Sequence, residues 1–127
     1  MIGYVTLGTN NMAKAVEFYD QLLATIGAGR FMESDQFVAW AKGPEQPGLS
    51  VTVPFDKNKA TVGNGIMIAL EMESNEQVNE FYTKAIELGA TDEGKPGFRD
   101  EVPGFYAGYF RDLDGNKLNA FHMVIPD

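Results

Sequence analysis

The chain has 127 residues, of which 44% are hydrophobic, 12% aromatic and 22% charged, a size and composition that suit one folded domain and exclude a disordered or fibrous class. Its formal net charge of −8 argues against nucleic acid, since a polyanion is held by a basic face that releases counterions, and favours a cationic ligand. No cysteine is present, so disulfides, thiolate nucleophiles and sulfur-rich metal sites are excluded together.

Residues 2–8, IGYVTLG, are rich in β-branched and aromatic side chains and read as a strand. The opening MIGYVTLGTNN has no basic region followed by a long apolar run, and no segment reaches the roughly 18 apolar residues of a membrane span. A cytoplasmic protein with no membrane partner is expected. Asn10 and Asn11 are helix-cap candidates, and Met12, Ala15, Val16, Tyr19, Leu22, Leu23 and Ile26 then follow the spacing of one helical face up to Gly27 and Gly29. The spacing predicts a helix near 11–26. Short strands are predicted near 29–33, at 37–41 (FVAWA) and at 49–53 (LSVTV), the last two separated by Gly43, Pro44, Pro47 and Gly48.

A polar stretch, DKNKATVGN at 56–64, leads into the strand GIMIALEM. Ser74-Asn75-Glu76-Gln77 has the form of a capping box, and Val78, Phe81, Tyr82 and Ala85 continue as a helical stripe that stops at Gly89, predicting a helix near 75–88. EGKPGFRDEVPG at 93–104 reads as a Gly/Pro-rich loop, followed by the strand FYAGYF, a turn at Asp114-Gly115-Asn116, and the strand KLNAFHMVI. Asp112 and Asp114 belong first to that hairpin turn and only second to any metal.

The order of elements repeats. Tyr4 to Tyr19 lie over Met67 to Tyr82 at an offset of 63, matching Leu7 with Leu70, Glu17 with Glu80, Phe18 with Phe81 and Tyr19 with Tyr82. After one deleted residue Gly27-Ala28 lies over Gly89-Ala90. The chain is an internal duplication of a βαβββ unit. The expected organisation is one α+β domain over 1–127, with a first module at about 1–55, a linker at about 56–64 and a second module at about 65–127.

On YVTLGTNNMAKAVEFYDQLL and FRDLDGNKLNAF the chain resembles the vicinal oxygen chelate superfamily, which includes glyoxalase I, extradiol dioxygenases, and fosfomycin- and bleomycin-resistance proteins. The first stretch resembles the family's opening strand and FY-containing helix. The second resembles its closing Phe-x-Asp-Pro-Asp-Gly-Asn hairpin, with leucine in place of proline. The resemblance implies two paired βαβββ modules whose curved sheets form a cleft, with helices outside and the ligand held between the sheets. It also implies that the apolar stripes of the two helices pack against the sheets. Many members of the family are dimers, and a homodimer is expected here.

In the family's metalloenzymes four inward histidine, glutamate or glutamine side chains bind a divalent ion. The resemblance lays those positions on Tyr4, Ser50, Met67 and Asn119. Hydroxyl, thioether and amide groups are poor ligands for such an ion, so no metal and no cofactor are expected. With the metal positions so filled, Tyr4, Thr6, Met67, Ala69, Asn119 and Phe121 are the expected ligand-binding residues, by strand alternation from the family's inward positions. Such a soft aromatic surface with a few hydrogen-bonding groups suits a small organic molecule. Trp40, Phe105, Tyr106, Tyr109 and Phe110 are further aromatic candidates, about half of them core.

Two functions of different class follow. One is a metal-independent binding protein resembling the bleomycin-resistance branch, holding a small and often cationic compound. The other is a glyoxalase-like lyase or isomerase, or a related dioxygenase-type enzyme, with Glu71 as candidate general base if apolar neighbours desolvate it. His122, the single histidine, lies three residues past Asn119 and is expected to face the helices. No nucleophile elbow, phosphate-binding glycine motif or zinc-binding HExxH is present in the sequence.

Overall fold

Asn11 starts the first helix. Its backbone is extended and its side-chain oxygen accepts a hydrogen bond from Lys14 N at 3.1 Å, satisfying one of the donors that a helix start leaves open. The helix, α1, runs Met12–Ala24 and follows strand β1, Tyr4–Gly8. Three strands complete the first unit: β2 at Gly29–Glu33, β3 at Phe37–Ala41 and β4 at Gly48–Thr52. The computed structural model describes residues 1–124 of the chain, in two compact units, Met1–Gly63 and a second from Asn64 onward.

The first unit's sheet has the order β1-β4-β3-β2, with β1 parallel to β4 and the remaining pairs antiparallel. α1 supplies the crossover that a parallel pair needs. Alternation divides the sheet. Leu7, Val38, Trp40, Leu49 and Val51 are buried, as are Ala15, Phe18, Tyr19, Leu22 and Leu23 on the helix. Burying a side chain of the size of Leu or Phe stabilises by about 1.5–3 kcal/mol, so this layer is the main source of the unit's stability. Trp40 belongs to it. Its ring lies 5.7 Å from that of Tyr19, and its indole N–H donates to Asp20 at 2.8 Å. Asp20 also takes a bidentate pair from Arg30, which holds its carboxyl below the ordinary aspartate value, with the Trp40 bond adding to that effect against the opposing pull of burial.

Of the stretch at about 56–64 expected to link the modules, residues 56–63 fall in the first unit. Asn10 fastens them there, its Nδ2 donating to Ala60 O and its Oδ1 accepting from Ala60 N.

The second unit repeats the plan. β5 is Ile68–Glu71, α2 is Asn75–Glu87, and β6, β7 and β8 are Thr91–Phe98, Phe105–Arg111 and Lys117–Met123. The sheet order is β5-β8-β7-β6, again with a parallel first pair. Both ends of α2 lie 63 residues after those of α1. The expected cap forms in a shifted way: Ser74 Oγ accepts from Gln77 N at 3.0 Å, while Gln77 Oε1 reaches one residue beyond the cap and accepts from Glu73 N at 2.7 Å. Gly27 and Gly89 close the helices with φ of 79° and 108°, and Ala28 N and Ala90 N return to Leu23 O and Ala85 O. A positive φ at that position is open to glycine at little cost, which is why both helix ends carry one.

Two sequence expectations change. The segment 93–104 was expected to be a loop, yet its first part belongs to β6, which pairs with β7 despite Gly94, Pro96 and Gly97. β6 is the edge strand, where a missing N–H removes no interior ladder bond, and its two register shifts absorb the irregular residues. The last strand was expected to run to Ile125; β8 ends at Met123, and Ile125 lies outside the described residues.

Candidate functional site

Each unit has one sheet face turned away from its helix. In the first, Tyr4 and Thr6 of β1 stand on that face with Ser50 of β4, paired to Thr6 in register. Tyr4 is 61% exposed and meets the Phe37 ring edge-on at 6.5 Å. Ser50 is fully buried, its Oγ donating to Val5 O at 2.8 Å and standing 3.0 Å from Thr6 Oγ1. Its lone pairs and proton are thus largely committed within the sheet.

In the second unit Ala69 is the register partner of Asn119, and Glu71 that of Phe121. The expected residues Ala69, Asn119 and Phe121 therefore share one face, and Met67 directly precedes β5 on the same alternation. Thr6 pairs with Ser50 as Ala69 pairs with Asn119, so Ser50 and Asn119 occupy equivalent places in the duplicated units. Phe121 stacks on Phe105 at 5.6 Å. Asn119 is 1% exposed, and its Oδ1 is buried without a hydrogen-bond partner among the described residues. Glu71 is exposed at the end of β5, so the desolvation expected of a general base is missing.

The remaining aromatic candidates sort by alternation. Phe110 is fully buried beside Phe81, and Tyr106 donates to Asn79 of α2 at 2.6 Å, so both serve the helix side. Phe105 and Tyr109 take the open face. His122 stands on the helix side, its Nδ1 2.9 Å from Asn75 Oδ1. Asp112 is consumed by the hairpin, accepting from Asp114 N, Asn116 N and Asn116 Nδ2.

On the open face of the second unit lies a pocket of about 420 Å³. β6 lends it Glu93 and Gly94, β7 Phe105 and Tyr109, and β8 Lys117. The turn between β6 and β7 adds Arg99, Glu101 and Val102. That turn is tied back by Arg99 N to Phe105 O and Val102 N to Arg99 O. The Arg99 guanidinium carbon lies 5.0 Å from the Tyr109 ring centre, and Lys117 Nζ lies 5.6 Å from it. Gly94 lets the edge strand come close, because a Cβ there would stand 3.3 Å from Tyr109 Cδ1. Of these residues the sequence singled out Phe105 and Tyr109; Arg99 and Val102 had no signal, since a turn folded back over a sheet leaves no periodicity, and Lys117, at the start of β8, had none either.

The sequence model of the Glyoxalase/Bleomycin resistance protein/Dioxygenase superfamily matches residues 1–120. The chain belongs to that superfamily. A solved glyoxalase/bleomycin resistance protein from Albidiferax ferrireducens T118 is 34% identical, with a TM-score of 0.88 over 98% of this chain and 99% of that one. A family enzyme from Burkholderia phytofirmans PsJN shares the fold at 17% identity, with a TM-score of 0.76 over 96% and 98% of the two chains. A putative glyoxalase from Bacillus halodurans does so at 17% identity and 0.74, over 96% and 95%. No protein of curated function matches.

The superfamily's divalent ion finds a poor fit. Tyr4, Ser50, Met67 and Asn119 offer no carboxylate and no imidazole, and Ser50 is held by its own sheet. Among the described residues no group of three or more histidine, cysteine, aspartate or glutamate side chains is placed to hold a metal. Among the same residues no helix is long and apolar enough to cross a membrane.

Proposed function

We propose that this superfamily member is a cytoplasmic homodimer that binds a small organic molecule without the family's divalent ion and without transforming it. The observation that carries the reading is the donor set at the family's metal positions, where a phenol, a hydroxyl, a thioether and an amide stand. A hard divalent cation loses water that these groups replace weakly, so its affinity is low. The open faces offer a binding surface instead: Tyr4 and Thr6 on the first unit, and Met67, Ala69, Asn119 and Phe121 on the second. Aromatic area supplies affinity there, and the buried amide of Asn119 supplies orientation. The exposure of Glu71 speaks against the lyase or isomerase alternative.

Thermal melts with and without zinc, nickel, manganese and iron(II), alongside elemental analysis, test it. A ligand stabilises the folded state by RT ln(1 + [L]/Kd), so a true site at 100 times Kd adds about 2.7 kcal/mol and a readily measured rise in Tm. The expected result is no stoichiometric metal and no rise. One metal that raises Tm by several degrees at low concentration overturns the proposal.

A further inference from the structure

We infer that the pocket formed by β6, β7 and β8 is an organic-acid site, in which Arg99 and Lys117 take the carboxylate of a small acid whose apolar body rests on Tyr109 and Phe105. This deepens the reading of the chain as a small-molecule binder by naming the ligand's class, and it reverses the expectation, drawn from net charge, of a cationic ligand.

The argument begins with charge. The chain carries 18 acidic and 10 basic residues, and among the described residues only two of the ten, Arg30 and Arg111, form ion pairs, with Asp20, Glu33 and Glu93 as partners. Arg99 and Lys117 make no ion pair among the described residues, although both line the pocket. Two carboxylates also line it, Glu93, which is held by Arg111, and Glu101 of the turn. Arg99 and Lys117 both stand against the Tyr109 ring, and an anion placed beside them lowers the potential that two like charges raise there.

Geometry agrees. Of the Arg99 guanidinium only Nη2 is engaged, donating to Lys95 O at 2.9 Å and Ala107 O at 2.8 Å. Those two bonds fix the plane and spend both Nη2 hydrogens, so Nη1 and Nε remain as separate donors on different sides of the guanidinium, each able to meet one carboxylate oxygen. Phe105, Tyr109 and Val102 provide the apolar wall.

The test uses the full chain and three probes of one shape: benzoate, neutral benzamide and cationic benzylamine, followed by NMR shifts of the Tyr109 and Lys117 resonances and by calorimetry. Benzoate should bind, benzamide should bind about tenfold more weakly, and benzylamine more weakly still. Lys117→Gln, which breaks no hydrogen bond of the fold, should weaken benzoate about tenfold, while Lys117→Arg retains it. Added salt should weaken benzoate and leave benzamide unchanged. Equal binding of benzoate and benzamide, preference for benzylamine, indifference to Lys117→Gln, or no shift from any probe each overturns the acid site. Binding of a neutral or cationic probe at Tyr109 would leave the small-molecule reading standing, whereas stabilisation by metal would remove that reading whatever the probes do.

Discussion

Tyr82 donates its hydroxyl to Asp92 Oδ1 at 2.7 Å, and Asp92 also accepts from Gly94 N. The bond runs from α2 to the edge strand that carries Gly94 into the pocket wall. Burial, then this bond and the negative charge of Asp92, push the Tyr82 hydroxyl from 10.0 up to about 12. The hydroxyl bond to Tyr82, then the Gly94 N–H, holds the Asp92 carboxyl below its ordinary value. The signs are opposite. Tyr82, raised on folding, contributes stability that is fully present below pH 10 and lost as pH rises toward about 12. Asp92, lowered on folding, contributes stability present above about pH 4 and lost as pH falls further. Urea unfolding of Tyr82→Phe should therefore lose the fall in stability that the parent shows between pH 10 and 12. An unchanged alkaline limb would show that Tyr82 is not the group responsible.

Helix α2 is held at its start by side chains more than by propensity, since Asn75, Val78, Asn79 and Tyr82 are mediocre helix formers. Ser74→Ala removes the acceptor for Gln77 N and should cost about 1 kcal/mol, read as a lower urea midpoint with an unchanged slope. A change in slope would instead mean that the unfolding unit itself had altered. At the other side of the second unit, Gly104 shows how tightly the β6–β7 turn is drawn in: its φ is +81°, and a Cβ there would lie 2.4 Å from Val124 O. The elements that follow one period, α1, α2 and β1, were legible because an apolar stripe needs only local sequence to appear. β6 was not, because glycine and proline within it mark a loop by local rules, and only pairing with β7 makes it a strand.

At the scale of the molecule, large apolar side chains stand in solvent. Tyr4, Phe31, Met32, Ile66 and Phe98 are each more than half exposed. A homodimer is proposed to cover part of that surface. Sedimentation should give a species of twice 14.0 kDa at micromolar concentration, and a species of one chain's mass throughout would exclude it. The sequence by itself determined the duplication and the two capped helices. These rest on periodicity and on turn chemistry, which act over a few residues. Only the tertiary structure decided which aromatic residues face the open side, that Ser50 and Asn119 are equivalent in register, and that Arg99 and Lys117 meet at Tyr109. Those facts depend on pairing between residues far apart in the chain, where a shift of one position would turn every side chain to the opposite face.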